Sequence, residues 1–175
     1  YEIPKRDWSS DVCSSDLHVE PCDAAPLVLW AADRTGYANL GRLLTCGHAR
    51  AAECLDADAA ASQRGADRCP LTCDDIVRHS GGLLAGVPLA AMTSDWRDTA
   101  AATEAIAGVQ HWRSVFDGRL WCLAEVALAG DDAERLAWFA RVARLAGVPL
   151  AAAGDVRYHE RSRLPLHDVL TAVRR

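Results

Sequence analysis

The sequence predicts an α/β fold with a parallel sheet, because short apolar runs alternate along it with stretches of helical periodicity. Apolar runs begin near Leu27, Gly82, Leu120 and Val148, and each is followed by a segment with apolar residues three and four apart. Continuous apolar runs are typical of strands covered on both faces, and strand-then-helix repeats connect parallel strands. We therefore expect about four βα units that share one sheet.

The composition is that of a globular domain, and it excludes several classes of protein. The chain has 175 residues, of which 50% are hydrophobic and 25% charged, and its net charge is −5. Free-standing nucleic-acid binders usually carry an excess of Lys and Arg, so this net charge argues against that class. No apolar run reaches the roughly 18–20 residues of a membrane span, and no signal peptide is visible. We expect a cytoplasmic protein without a membrane partner.

The first helix is predicted over Gly36–Arg50, and its apolar face is formed by Tyr37, Leu40 and Leu44. Residues 51–70 interrupt the pattern with Ala, Asp, Gly and Pro, and we expect them to form a surface excursion. Thr72 is placed to cap a short helix, because two carboxylates occupy the first turn after it.

The later helices follow from caps and periodicity. An alanine-rich helix is predicted over much of Arg97–Phe116. The next helix begins at Asp131 and is ended by Gly147, a residue suited to a left-handed cap. Its apolar face is predicted to carry Leu136, Phe139 and Ala143. The last helix opens at Pro165, and its buried side is expected to carry Leu166, Val169, Leu170 and Val173.

The N-terminal stretch has a different character from the rest of the chain. Asp7–Leu17 shows neither strand nor helix periodicity and matches the in-frame translation of a common sequencing-library adapter. We therefore predict that residues 1–17 are not native sequence. The chain starts at Tyr1 rather than at Met and ends at Arg175 inside an apolar-periodic stretch. We expect residues 18–175 to be part of a larger domain, truncated at both ends.

The seven cysteines have irregular spacing and do not predict a disulfide framework in a chain without a secretion signal. Cys73 lies four positions after Cys69, and Cys46 lies two before His48, so a zinc site is one reading of these residues. The paired Cys-x-x-Cys spacing that makes such sites specific is missing. We interpret the cysteines as reduced and acting as small hydrophobic residues.

Three stretches of the chain carry a resemblance to a known family. They read LVLWAADRTGYANLGRLLT from Leu27, GRLWCLAEVALAGDDAERL from Gly118, and GVPLAAAGDVRYHERSRLPLHDVLTAVR from Gly147. Together they resemble the PHP (polymerase and histidinol phosphatase) domain of bacterial C-family DNA polymerases, most closely the error-prone branch. The resemblance implies a distorted seven-stranded β/α barrel with metal ions at its strand ends, of which this chain would hold about four βα units.

The same resemblance implies two metal ligands here. The family's early Gly-x-Glu carboxylate corresponds to Glu20, and its late Asp-x-His pair falls on Asp155 and Arg157, whereas the opening His-x-His pair is absent. A guanidinium stays protonated and only donates hydrogen bonds, so Arg157 cannot replace the imidazole as a ligand. It can instead pair with the Asp155 carboxylate. We therefore expect a degraded metal site.

His159 stands two residues after Arg157 and is an alternative ligand, although a loop histidine more often faces solvent. The remaining histidines on predicted helices or helix ends are interpreted as packing or surface residues: His48, His79, His111 and His167.

The resemblance implies a piece of an error-prone DNA polymerase, active in damage-tolerant repair synthesis, in which this segment gives structural support. The 175 residues alone would then be inactive and would need no cofactor. Mg²⁺, DNA, deoxynucleotides and any repair or replication subunits would belong to the rest of the parent, while an intact PHP site would take Zn²⁺ or Mn²⁺. The alternatives are a stand-alone metal-dependent phosphoesterase similar to histidinol phosphatase and a metal-free scaffold.

Overall fold

The computed structural model of the chain describes residues 16–21, 23–57, 71–89, 92, 96–126, 130–154 and 160–174. In chain order the elements are β1 (Asp16–Val19), β2 (Leu27–Ala31), α1 (Arg34–Ala57), α2 (Cys73–Arg78), β3 (Leu83–Pro88), α3 (Thr99–Val115), β4 (Leu120–Ala124), α4 (Asp132–Ala146), β5 (Leu150–Ala152), a 3-10 turn (Arg161–Arg163) and α5 (Leu164–Arg174). Within these ranges, no helix is both long and apolar enough to cross a membrane.

The strands form one open sheet in the order β1-β2-β3-β4-β5. β3 pairs in parallel with β4, and β4 with β5, as expected for strands joined by single helices. β2, however, pairs antiparallel with both β1 and β3. The α/β class and the alternation of strands and helices are therefore confirmed, but the prediction that the Leu27 strand runs parallel to the others is wrong.

The reversal of β2 has a physical cause in the connection that follows it. Two helices, α1 and α2, separate β2 from β3, so the chain leaves the sheet along α1 and comes back through α2. β3 therefore begins at the edge of the sheet where β2 ends, since Ala31, the last residue of β2, pairs with Leu83, the first residue of β3. Residues 51–57 belong to α1, so part of the predicted surface excursion is helical, and residues 58–70 lie outside the described residues.

Because β1 is reversed relative to β2, it runs in the same direction as β3, β4 and β5. Four strands therefore end on one side of the sheet, which we call the carboxyl edge. β1 includes Asp16 and Leu17, the last residues of the segment predicted to be non-native, and pairs them with Trp30 and Leu29. Residues 1–15 lie outside the described part of the chain.

The three largest fully buried side chains lie on α3, directly after it and on α4. Trp112, Phe116 and Phe139 are fully buried, and the indole N–H of Trp112 donates to the carbonyl oxygen of Ala25 at 3.0 Å. Burial of such aromatic side chains is worth about 1.5–3 kcal/mol each. Gly147 ends α4 with φ = 70°, as its position predicts.

Three predicted apolar faces differ from the observed ones. On α1, Leu40 and Leu43 are buried, but Tyr37 is 58% exposed. On α4, Trp138 and Val142 join Phe139 and Ala143 in the core, while Leu136 is only partly buried. On α5, the side predicted to be buried is exposed at Leu166, Val169, Leu170 and Val173. Periodicity identifies an apolar face, but the packing around a helix decides how far that face turns inward.

The N-terminal end of α1 is pressed against the turn that precedes β3. A Cβ atom on Gly36 would overlap the carbonyl oxygen of Gly82, so only glycine permits this approach. The Gly36 N–H donates to Asp33 Oδ1 at 2.8 Å, and the Asn39 amide donates to the carbonyl oxygen of Gly81 at 2.8 Å. The Gly-Tyr-x-Asn-Leu segment is thus a structural clamp between α1 and the sheet.

We predict that Gly36→Ala destabilises the chain by about 1–3 kcal/mol, because the added methyl group forces α1 away from the turn. Gly41→Ala is the matched control in the same helix, since a Cβ there meets no atom within 4 Å. That control should stabilise by about 0.5–1 kcal/mol through helix propensity. Thermal or denaturant unfolding of both variants measures the change in unfolding free energy. Changes of the same sign in the two variants would contradict the close contact between α1 and the turn before β3.

Candidate functional site

The carboxyl edge collects the acidic residues that follow strands. Glu20 comes directly after β1 and has an exposed side chain, and Glu125 comes directly after β4 and is partly buried. Gly154 follows β5 at the same edge and is the last described residue before Asp155. In parallel sheets, polar chemistry gathers at this edge because the loops there precede the helices.

The two predicted metal ligands belong to strands at opposite ends of the sheet order. Glu20 follows β1, and Asp155, Arg157 and His159 follow β5 but lie outside the described residues. Four strand spacings amount to roughly 19 Å along an open sheet, so a shared ion requires the sheet to curl toward a cylinder. No group of three or more His, Cys, Asp or Glu in the described ranges is arranged to hold a metal ion. The pairing of Glu20 with Asp155 stays a prediction.

Cys46, Cys73 and Cys122 are free, and Cys122 is fully buried in β4. Burial raises the pKa of the Cys122 thiol to about 12, so it acts as a small hydrophobic residue, as predicted. Cys46 and His48 lie two positions apart on α1, where side chains point in different directions. Cys69 lies outside the described residues.

Cys73 and His111 form a contact that the sequence analysis missed. Cys73 Sγ lies 3.0 Å from His111 Nε2, and the backbone N–H of Cys73 donates to Asp23 Oδ1 at 2.7 Å. Burial, followed by the charges of Asp23 and Asp74, raises the pKa of the Cys73 thiol. The contact ties α2 to α3.

Asp75 is a buried carboxylate, only 6% exposed. Arg50 binds both of its oxygens, and the backbone N–H and hydroxyl of Thr72 donate to Oδ2 at 2.9 and 2.8 Å. The hydrogen bonds from Arg50 hold the pKa of Asp75 well below its ordinary value, with those from Thr72 adding to the effect against the cost of burial. Thr72 caps α2 as predicted, and the capping box extends to an ion pair with α1.

A groove of about 470 Å³ lies between the start of α3 and one side of α4. Arg97 stacks over Trp96 at 4.1 Å and donates to Glu134 at 3.4 Å, with Asp131 at 3.9 Å. This guanidinium already has an aromatic face and two carboxylates around it. These contacts of Arg97 join the start of α3 to α4.

No family model matches the chain. A search of curated proteins, however, finds error-prone DNA polymerases. The chain is 35% identical over 159 residues to the enzyme of Rhodopirellula baltica, a match that covers 89% of this chain and 13% of that protein. The corresponding values are 36% over 152 residues (85% and 13%) for Ralstonia nicotianae and 33% over 163 residues (93% and 13%) for Pseudomonas fluorescens.

The chain is similar to error-prone DNA polymerases. It spans about one eighth of the length of these curated relatives, so the similarity concerns one segment of a much longer protein. The match to the polymerases covers 85–93% of the chain. It therefore includes many more residues than any one of the three stretches that begin at Leu27, Gly118 and Gly147.

We predict that Asp75→Ala destabilises the chain by about 2–4 kcal/mol, because Arg50 and the N-terminus of α2 lose their shared acceptor. Asp74→Ala is the control, since this exposed neighbour contributes only the helix-dipole effect of about 0.3–1 kcal/mol. Equal losses in the two variants, measured by urea denaturation, would contradict the network.

The same carboxylate predicts how stability depends on pH. The folded pKa of Asp75 is lowered from the ordinary 3.8, so its contribution is complete above that pH and is lost as the pH falls below it. The difference in unfolding free energy between wild type and Asp75→Asn should therefore be smaller at pH 3 than at pH 6 without disappearing, because the folded carboxylate stays ionised below the pKa of the unfolded one. A gap that widens on acidification would contradict the assignment.

Proposed function

We propose that the chain is a piece of the PHP domain of an error-prone DNA polymerase, with a structural role and a degraded metal site. The observation that carries the proposal is the 35% identity over 159 residues to the error-prone DNA polymerase of Rhodopirellula baltica. In this proposal, DNA and deoxynucleotides are substrates of the whole polymerase, in damage-tolerant repair synthesis in the cytoplasm. Mg²⁺ held by carboxylates elsewhere in the parent supplies the nucleotidyl-transfer chemistry.

The net charge of the chain favours a structural role for this segment over direct contact with DNA. Its net charge is −5, and contact with phosphates is normally made by an excess of Lys and Arg. The best-bonded polar groups described above, Asp75, Asn39 and Arg50, are used to join helices to one another and to the sheet. These contacts favour a segment that stabilises its parent.

The proposed loss of the metal site rests on the donor set. Asp155 and Glu20 offer carboxylate oxygens, whereas Arg157 offers only N–H donors and a positive charge. A cation next to Asp155 competes with a metal ion for the same oxygens. We also propose that residues 1–17 are adapter-derived and have no part in this function.

We predict that the 175-residue chain retains well under one equivalent of Mn²⁺ after equilibrium dialysis. Mn²⁺ is the appropriate probe because it prefers oxygen and nitrogen ligands, so the seven cysteines contribute little. Arg157→His restores an imidazole and should strengthen binding by at least about tenfold. Arg157→Gln, which removes the charge without adding an imidazole, is the control and should give a smaller gain. Tight stoichiometric binding by the wild type would overturn the proposal of a degraded site.

Reading the gene beyond the codon for Arg175 tests the parent's identity. We expect an open reading frame that continues into a polymerase region with carboxylates placed to hold Mg²⁺. A stop codon shortly after Arg175 would contradict the polymerase proposal and favour a stand-alone phosphoesterase.

A further inference from the structure

Cys73 and His111 bring two metal-ligating atoms together from distant parts of the chain. Cys73 is the first residue of α2 and His111 lies on α3, yet Cys73 Sγ is 3.0 Å from His111 Nε2. Thiolate sulfur and imidazole nitrogen are the usual ligands of structural zinc sites. His111 is exposed and Cys73 is partly buried, so an ion can reach the pair from solvent.

The spacing of the two atoms is close to that of a zinc site. In tetrahedral coordination, Zn–S and Zn–N bonds of about 2.3 and 2.0–2.1 Å place the sulfur and the nitrogen about 3.5 Å apart. The observed distance of 3.0 Å belongs to a direct contact, and the pair must open by about 0.5 Å to admit the ion. Because His111 is exposed, a small rotation of its side chain provides this opening.

Negative charge beside the pair favours a cation there. Asp23 Oδ1 accepts from the backbone N–H of Cys73 at 2.7 Å, and Asp74 is the next residue on α2. The charges of both carboxylates act on the Cys73 sulfur. Such charges oppose an isolated thiolate but favour a thiolate bound to a divalent cation, because the ion reverses the sign of the local charge.

The sequence supplies two more cysteines next to this contact along the chain. Cys69 precedes Cys73 with three residues between them, a spacing within the range of zinc sites. Cys22 directly precedes Asp23. Both cysteines lie outside the described residues, and in the described ranges no third ligand joins Cys73 and His111. Three cysteines and one histidine are a usual ligand set of structural zinc.

We infer that Cys73 and His111 are ligands of a structural zinc ion that fastens α2 to α3. Cys22 and Cys69 complete the set, and each cysteine releases its proton when the ion binds. Four protein ligands leave no open position for a substrate, so the ion is structural rather than catalytic. The inference does not rest on the proposed function. Its contact with His111 distinguishes Cys73 from Cys122, which acts as a small hydrophobic residue.

Zinc titration of the metal-free, reduced 175-residue chain tests the inference. We expect about one equivalent of Zn²⁺ to bind in competition with a chromophoric chelator. Cys73→Ser or His111→Gln should weaken binding at least about tenfold, since even groups that only orient a ligand contribute that much. Cys46→Ser and His48→Gln, which remove the same groups from α1, are the controls and should change the affinity less than about threefold.

Alkylation of the wild-type chain supplies a second measurement that needs no substitution. With Zn²⁺ bound, the thiols of Cys22, Cys69 and Cys73 should react at least about tenfold more slowly, because sulfur held by the metal is not free to attack. Cys46 and Cys54 should react at the same rate with and without Zn²⁺. Mass spectrometry of the digested chain measures each cysteine separately.

Three results would overturn the inference. The first is a wild-type chain that binds no zinc, and the second is an unchanged affinity in Cys73→Ser or His111→Gln. The third is an alkylation pattern in which Cys54 is protected in place of Cys22 or Cys69. If a variant fails to fold, the alkylation pattern of the wild type decides.

Discussion

The close approach of α1 to the turn before β3 sets the arrangement of the whole sheet. Gly36 lies against Gly82, and the amide of Asn39 donates to the Gly81 carbonyl, so the start of α1 and the start of β3 share one corner. Because the chain leaves and re-enters the sheet at this corner, β2 and β3 must run in opposite directions. A side chain at position 36 would separate the helix from the turn and release that constraint.

The reversed strand has a consequence for the candidate site. With β2 antiparallel to both neighbours, β1 ends at the carboxyl edge together with β3, β4 and β5. Glu20 is thereby placed on the side of the sheet where β5 ends, and Gly154, which follows β5, directly precedes Asp155 in the sequence. If all five strands were parallel in the same order, β2 would also end at the carboxyl edge. The connection from β1 to β2 would then have to be a crossover that returns the chain to the opposite edge of the sheet.

Polar groups in this chain are used mainly to join elements. The Arg50–Asp75 pair links α1 to α2, the Cys73–His111 contact links α2 to α3, and Arg97 joins the start of α3 to α4. Each joins residues that are far apart in the sequence, and the buried Asp75 carboxylate would be costly to leave unpaired.

What the sequence by itself determined is local. The positions of β2 to β5 and of most helical residues, the Thr72 cap and the left-handed Gly147 follow from residues close together in the chain, because periodicity, capping and backbone conformation are short-range effects. The strand β1 and the last seven residues of α1 were not predicted. The donor chemistry of Arg157 is equally a property of the residue alone. Only the tertiary structure decided the direction of β2, the partner of Asp75 and the exposure of the apolar side of α5. These depend on which distant segments meet, and a periodic pattern shows that a face is apolar without showing what covers it.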